Sequence, residues 1–367
     1  MTARLRLVLL EARPAVVFLL GLAGAVGLAL SGRANDPVSV ARLLVLVTAF
    51  VVYAVSCNDL ADLEIDRVNL PDDDRRPLVT GTAAARDVRL MAAGAAVVTA
   101  SAAATQGLSA LLLTLVGLAV AAAYSLPPFR LSRRGVVAPL VLPALFVGVP
   151  FVLGVLVGRA LRLGDVVLLA ALYVGFIGRI VLKDFRDVVG DRLFGKRTFL
   201  VRHGRGPTCL LSVVFWLAGT AALVVVTPGT TWWYAGCQAI LAATAVALVA
   251  RLAVTETHRT EERIVSSLAI VGRASVAAVF LEVAGGSPAA AAYAVVGTTA
   301  LSLLLAAEMM RLGPRQPRVT VTDPRLTSSA VESAVTGSSS SALRGLRDPA
   351  KDVTASVLPR PEPSIRQ

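Results

Sequence analysis

A series of long apolar stretches, almost free of charge, runs through the chain from residue 15 to residue 310. They lie at 15–31, 40–57, 88–105, 108–125, 136–157, 165–183, 209–227, 231–251, 263–284 and 287–310. A helix needs about 20 apolar residues to cross the hydrocarbon core of a bilayer, and the stretches match that length. The composition agrees, with 56% hydrophobic and 16% charged residues and a mean hydropathy of +0.73. An ordinary soluble domain carries about a quarter charged residues. The fold class that follows is all-α, a polytopic transmembrane helical bundle of nine or ten spans. The stretch at 263–284 is the weakest because it holds Arg273 and Glu282, which must face the bundle interior or a wet cavity rather than lipid. The first stretch follows Arg4, Arg6 and Arg13 as the core of a signal peptide does, but no small-residue cleavage site follows it. A retained first span is the reading we adopt.

The formal net charge of +12 does not point to nucleic acid, because of where the cations lie. Arg75, Arg76, Arg86 and Arg89 share one inter-span loop. Arg130, Arg133 and Arg134 share a second, and Lys196, Arg197, Arg202 and Arg205 a third. With the N-terminus inside, all three loops fall on the cytoplasmic side, whereas the opposite loops hold chiefly Arg33, Arg159 and Arg162. This is the positive-inside pattern. It predicts a multi-pass plasma-membrane protein, and ten spans would also return Arg311, Arg315 and Arg318 to the inside. Cys57, Cys209 and Cys237 have no metal-site spacing, and His203 and His258 are far apart.

Two cytoplasmic loops, at about 58–87 and 184–208, are long, and long loops are commonly functional. They hold nearly all the acidic residues of the membrane region. From residue 312 the composition turns to Ser, Thr, Pro and Arg without apolar periodicity. The division expected is a membrane domain over 1–311 and a disordered polar tail over 312–367.

The 40–57 stretch runs into Asn58-Asp59, Asp62 and Asp66, and the 165–183 stretch into Lys183-Asp184, Asp187 and Asp191. In both, the aspartates are three and then four residues apart, a spacing that shares one face of a helix. Carboxylates at a helix C-terminus oppose its dipole, and crowding them near low dielectric raises the cost. Divalent cations relieve both, and Mg²⁺ is commonly held by one or two carboxylates together with substrate phosphates. Cations flank each series: Arg75 and Arg76 after the first, Lys183 just before the second, and Lys196 and Arg197 after it. Such groups suit phosphate contacts and neutralise a leaving diphosphate. A single acidic loop is as well explained by solvation; a matched pair, each at a span end on one side, is not, and it hints at an internal repeat. Asp72, Asp73 and Asp74 are read as a solvated turn, and Glu64 as structural because it lies off the aspartate face.

These residues resemble the UbiA superfamily of intramembrane prenyltransferases. The family's N-D-x-x-D-x-x-x-D motif and following R-P-L-x-x-G correspond to Asn58-Asp59, Asp62, Asp66 and Arg76-Pro77-Leu78-Val79-Thr80-Gly81. The second motif of one branch, K-D-x-x-D-x-x-G-D-x-x-x-G-x-x-T, is matched by Lys183-Asp184, Asp187, Gly190-Asp191, Gly195 and Thr198. Residues Tyr124 to Leu131 are similar to that branch's Y-S-x-P-P-x-R/K-L segment. The branch includes chlorophyll synthases and archaeal-type lipid prenyltransferases. The resemblance covers about residues 10–310 and implies a bundle with a central cavity open to lipid. It implies Mg²⁺ at Asn58, Asp62, Asp66, Asp187 and Asp191, the four aspartates among these being the catalytic set. Asn58, Arg75, Arg76, Lys183, Lys196 and Arg197 would serve the diphosphate, with Asp59, Asp184 and Tyr124 in support.

The chemistry expected is ionisation of an isoprenyl diphosphate and capture of the allylic cation by a lipophilic acceptor, of aromatic or quinone type by preference. Apolar helices exclude the water that would otherwise compete. Tyr53, Tyr124, Phe129, Tyr173, Phe176 and Phe185 are the aromatic candidates for steadying the cation. A membrane terpene cyclase would use the same aspartates. A transporter would place its charges nearer the membrane midplane, and a docking protein would leave the paired aspartates without a role.

Overall fold

The computed structural model describes residues 3–70, 73, 76–255 and 258–285, with isolated positions beyond. A short helix α1 (Ala3–Glu11) precedes α2 (Pro14–Leu30) and α3 (Pro37–Ala61), and a short α4 (Leu63–Asn69) follows. Then come α5 (Ala85–Ala104), α6 (Leu108–Ser125), α7 (Val137–Pro143), α8 (Val149–Leu156) and α9 (Leu163–Ile180). The short α10 (Val188–Leu193) and α11 (Phe199–His203) lead into α12 (Arg205–Val226), α13 (Trp232–Val254) and α14 (His258–Val283). α7 and α8 form one span, joined by a π turn over Ala144–Gly148. Pro143 and Pro150 flank or follow this turn, and proline removes the backbone donors a regular helix needs.

Among the described residues, eight helical segments are long and apolar enough to cross a membrane, and the 17-residue α2 is an apolar helix just short of that length. The stretch at 287–310 and the tail from 312 lie outside the described residues. Leu90, Val97, Leu112, Val116, Leu210, Val225 and Ile240 are exposed on outer helix faces, as a lipid solvent permits. The chain is a multi-pass membrane protein. The charges of α14 turn inward as expected: Arg273 is 5% exposed and Glu282 8%. Glu282 accepts hydrogen bonds from the Thr231 amide at 2.6 Å and its hydroxyl at 2.9 Å.

Lipid gives apolar helices little reason to associate, so tight backbone approach does more of the work. A Cβ on Gly154 would lie 2.1 Å from the Gly24 carbonyl oxygen, so α2 and α8 cross almost backbone to backbone. A Cβ on Gly219 would lie 2.3 Å from Gly175 Cα, and nearby the Ser212 hydroxyl donates to the Gly178 carbonyl at 2.6 Å. These contacts lock α9 against α12 and set where the end of α9 points.

Both aspartate series break their helices at the same place. Asp62 ends α3 with φ −106° and ψ 15°. Residues Val181–Arg186 tighten into a 3₁₀ helix after α9, and Asp187 ends it with φ −113° and ψ 5°. The middle aspartate is therefore the corner in each motif, and the continuous column of carboxylates expected from spacing is instead folded into two short arms, α4 and α10. The two corners match in backbone conformation.

Candidate active site

The first arm is pinned by arginines. Asp59, 4% exposed, receives Arg13 Nη2 at 2.6 Å and also pairs with Arg76. Arg76 reaches on to Asp66 Oδ2 at 3.0 Å, so one guanidinium spans the corner from α3 to α4. Asn58 Nδ2 donates to Asp62 Oδ2 at 3.0 Å. On the second arm Lys183 pairs with Asp184 at 2.7 Å.

Two bridges then join the arms. Lys196 Nζ lies 3.2 Å from Asp62 Oδ2 and 3.3 Å from Asp191 Oδ1. Asn69 Nδ2 donates to the Asp187 carbonyl at 3.1 Å, and the Gly190 amide donates to Asn69 Oδ1 at 2.8 Å. Gly190 leaves room for this clamp, since a Cβ there would meet the Asn69 amide at 2.7 Å. A parallel pairing of Arg134–Gly135 with Arg197–Thr198 ties the same region to the segment after α6.

The site holds more buried acid than it neutralises. Asp62, Asp66, Asp184 and Asp191 are all at most 8% exposed, while Asp187 is half-buried. Burial pushes Asp66 up to about 7, with Arg76 opposing and Asp59 and Asp187 adding to the rise. Burial likewise pushes Asp191 up to about 7 against the pull of Lys196, and neither Asp191 oxygen accepts a hydrogen bond. Lys196 is held above its ordinary range: burial works against its charge, but Asp191 and Asp62 outweigh it. Glu11, at the end of α1, is 1% exposed with neither oxygen hydrogen-bonded, and burial and then Asp59 push it up to about 7.

No cluster of three acidic, His or Cys side chains forms a ready-made metal cage among the described residues. Mg²⁺ does not require one, because it keeps waters and takes substrate phosphates beside one or two carboxylates. Carboxyls that outnumber the cations, and an Asp191 with unused oxygens, fit such an ion.

The positions singled out from sequence are mostly brought together, with exceptions. Arg197 is exposed, its backbone in the short β pairing, and it makes no ion pair among the described residues. Arg75, Asp72 and Asp74 lie outside the described residues. Asp73 is not the solvated residue expected: it is 5% exposed, and its carbonyl accepts the Arg76 amide at 2.8 Å, so the turn that aims Arg76 is packed inward. Glu64 is exposed and pairs with Arg67 at 2.7 Å, off the site as expected. Tyr124 is buried with an unpartnered hydroxyl, and Lys183, Asp184, Lys196 and Asp62 are the charges that act on it. Of the other aromatics, Phe129 is 56% exposed and Phe185 carries Arg205 on its face at 5.2 Å. Sequence reasoning missed Glu11, Arg13 and Asn69. The signal for Asn69 was there, three residues beyond Asp66 on the same face.

Residues 18–271 match the model of the UbiA prenyltransferase family. The chain belongs to that family. Digeranylgeranylglyceryl phosphate synthase of Methanopyrus kandleri is 32% identical over 222 residues, 57% of this chain and 76% of the relative. The bacteriochlorophyll synthase 34 kDa chain of Chloroflexus aurantiacus is 30% identical over 182 residues, 48% of this chain and 57% of that protein. Among solved structures, a UbiA homolog from Archaeoglobus fulgidus bound to DMAPP and Mg²⁺ superposes with a TM-score of 0.53 at 18% identity. It covers 75% of this chain and 98% of its own. That likeness shows a shared fold. The chain is thus a UbiA-type membrane prenyltransferase, and these relatives do not favour the cyclase alternative.

Proposed function

We propose that the two aspartate arms hold an isoprenyl diphosphate through Mg²⁺ and that the chain transfers the prenyl group to a lipophilic acceptor, of aromatic or quinone type by preference. The observation that carries the reading is the joining of the arms by Lys196 and Asn69 into one acid-rich cluster with unspent carboxylate oxygens. Asn58, Asp62, Asp66, Asp187 and Asp191 would hold the metal. Bound there, Mg²⁺ would supply the charge that makes diphosphate a good leaving group. Lys196 and Lys183 supply donors to the same oxygens, and Arg76 keeps Asp59 and Asp66 in place. Tyr124 offers an unpaired hydroxyl to the same region, and the surrounding apolar helices keep water away from the allylic cation. The three basic loops favour a cytoplasmic face for the site in a plasma membrane, with 1–311 as the membrane domain and 312–367 as a polar tail.

The test is diphosphate release by the purified chain in lipid from geranylgeranyl diphosphate and its shorter and longer homologues. Release should require Mg²⁺ and a membrane extract, and the mass gained by the extract names the acceptor. A cyclic product without any extract would restore the cyclase. No release under any condition would sink the catalytic assignment.

The titration pattern predicts an unusual pH profile without metal. Asp66 and Asp191 have folded-state values raised from 3.8 to about 7, and Glu11 is raised from 4.5 to about 7. Between those limits the folded chain binds more protons than the unfolded one, so stability falls as pH rises. The sign is opposite to that of a salt-bridged carboxylate. Thermal unfolding in EDTA should therefore show a higher Tm at pH 5.5 than at pH 8, and added Mg²⁺ should raise Tm more at pH 8, where no proton competes for the carboxylates. A metal-free Tm that climbs with pH over this range would contradict the acid-rich cluster.

A further inference from the structure

Glu11 closes α1 and Arg13 caps the start of α2, so one tight turn carries both to the first aspartate arm. Arg13 holds a left-handed backbone, φ 41°, uncommon for a residue with a side chain. The turn is packed: Ala12 lies in a buried cluster with Val52 of α3 and Ala95 of α5. Glu11 is 1% exposed, yet neither of its oxygens has a hydrogen-bond partner among the described residues. The charges that act on it are Asp59, Arg13, Arg76 and Asp66, the groups that fix the corner between α3 and α4. A buried carboxyl without a partner is costly and calls for an explanation. Its neighbours are bonded to one another instead. Arg13 and Arg76 both meet Asp59 Oδ1, and Arg76 Nη1 goes on to Asp66 Oδ2 at 3.0 Å. Three carboxyls thus share two guanidiniums, and Glu11 is the one left over.

We propose that Glu11 is a positioning residue that receives Arg76 when Asp66 turns to Mg²⁺. The proposal rests on the prenyl-transfer reading, in which Asp66 is a metal ligand, and adds a residue to it. Asp66 Oδ2 serves Arg76 in this structure. A guanidinium and a divalent ion on one carboxylate repel each other, and arginine cannot escape by losing its proton. Arg76 therefore has to trade that bond for another acceptor without leaving the buried corner. Asp187 also acts on Arg76, but it is counted among the metal ligands. Asp59 already takes both arginines. Glu11 is the remaining carboxyl on which Arg76 acts, and both of its oxygens are open. Asp59 serves as the pivot: the guanidinium keeps that bond while its free edge turns from Asp66 to Glu11. The planar fork of arginine suits such a shared hold. Loading of the site is thereby coupled to the pairing of Glu11, which no longer stands buried and alone.

The experiment titrates Mg²⁺ into the full chain in maltoside micelles at pH 8. It reads binding of a non-hydrolysable geranylgeranyl diphosphate analogue, beside the metal-free Tm in EDTA. Glu11→Gln should raise the Mg²⁺ concentration for half-maximal binding about tenfold, the difference between a charged and a neutral hydrogen-bond acceptor. Its metal-free Tm should be no lower than that of the wild type, because the substitution removes a buried unpaired charge. Glu11→Asp keeps the charge and should recover part of the Mg²⁺ affinity. The single ammonium of Arg76→Lys lacks the fork needed to hold Asp59 and reach Glu11 together. In that background, Glu11→Gln should matter less than about twofold, since the two residues act as a unit. An unchanged Mg²⁺ requirement in Glu11→Gln overturns the proposal. So does a steep fall in its metal-free Tm, which would give Glu11 a purely structural role. A full tenfold effect in the Arg76→Lys background would make Glu11 a direct metal ligand and overturn it too. Loss of all analogue binding in Arg76→Lys would assign Arg76 to the diphosphate, with the same consequence. Failure of the wild type to bind the analogue in the presence of Mg²⁺ overturns the prenyl-transfer reading itself.

Discussion

Asp191→Ala should lower prenyl transfer by roughly a thousandfold, the upper range for losing one charge-stabilising group in a dry site, while the metal-free protein remains at least as stable as the wild type. Asp191 is 1% exposed, and neither of its oxygens accepts a hydrogen bond. Among the described residues its one ion-pair partner is Lys196 at 3.3 Å. Burying a carboxyl on those terms is unfavourable, so replacing it with a methyl group removes a cost. Lys196 keeps Asp62 at 3.2 Å and is not stranded. Initial rates of diphosphate release, paired with thermal unfolding in EDTA at pH 8, separate the two effects. Turnover near the wild-type level would take Asp191 out of the site. A steep fall in Tm would show that it serves the fold. Asp62→Ala, Asp66→Ala and Asp187→Ala should also lose turnover. Asp62→Ala is the least clean of them, because it removes a helix corner and one partner of Lys196 together.

Gly190→Ala should cost about a hundredfold in turnover with the membrane bundle intact. The new methyl group would stand 2.7 Å from the Asn69 amide nitrogen and 2.8 Å from its oxygen, closer than nonbonded atoms tolerate. Asn69 would have to swing away and give up both of its bonds, to the Gly190 amide and to the Asp187 carbonyl. The clamp between α4 and α10 would open, and misplacing groups by about 1 Å is enough for a loss of that order. Asn69→Ala removes the same bonds without the clash and should reduce turnover less. The double variant separates clash from hydrogen bonding, since residues in contact do not behave additively. If the steric reading is right, Asn69→Ala restores part of the activity lost in Gly190→Ala. Simple additivity of the two losses would show that Asn69 and Gly190 do not act as a unit.

What could be read along the chain was whatever repeats locally. Span length follows from bilayer thickness, so the apolar stretches located the helices, and α14 was rightly expected to turn Arg273 and Glu282 inward. The paired aspartate series marked the candidate site because like charges at three- and four-residue spacing demand compensation. Other features depended on which distant segments meet. The breaks at Asp62 and Asp187 bend each series at its middle carboxylate, which spacing alone cannot show. Lys196 and Arg197 are neighbours of the same charge, yet one is buried between Asp62 and Asp191 and the other is exposed. Successive side chains of an extended segment point to opposite sides, and only the pairing with Arg134–Gly135 decides which side is in. Arg13 arrives from before α2, and Asn69 finds Asp187 across 118 residues. The close crossing of α9 and α12 rests on Gly175, Gly178, Ser212 and Gly219, residues far apart along the chain. Local composition determined the spans and the charges at their ends; the close helix crossings decided which of those charges were paired.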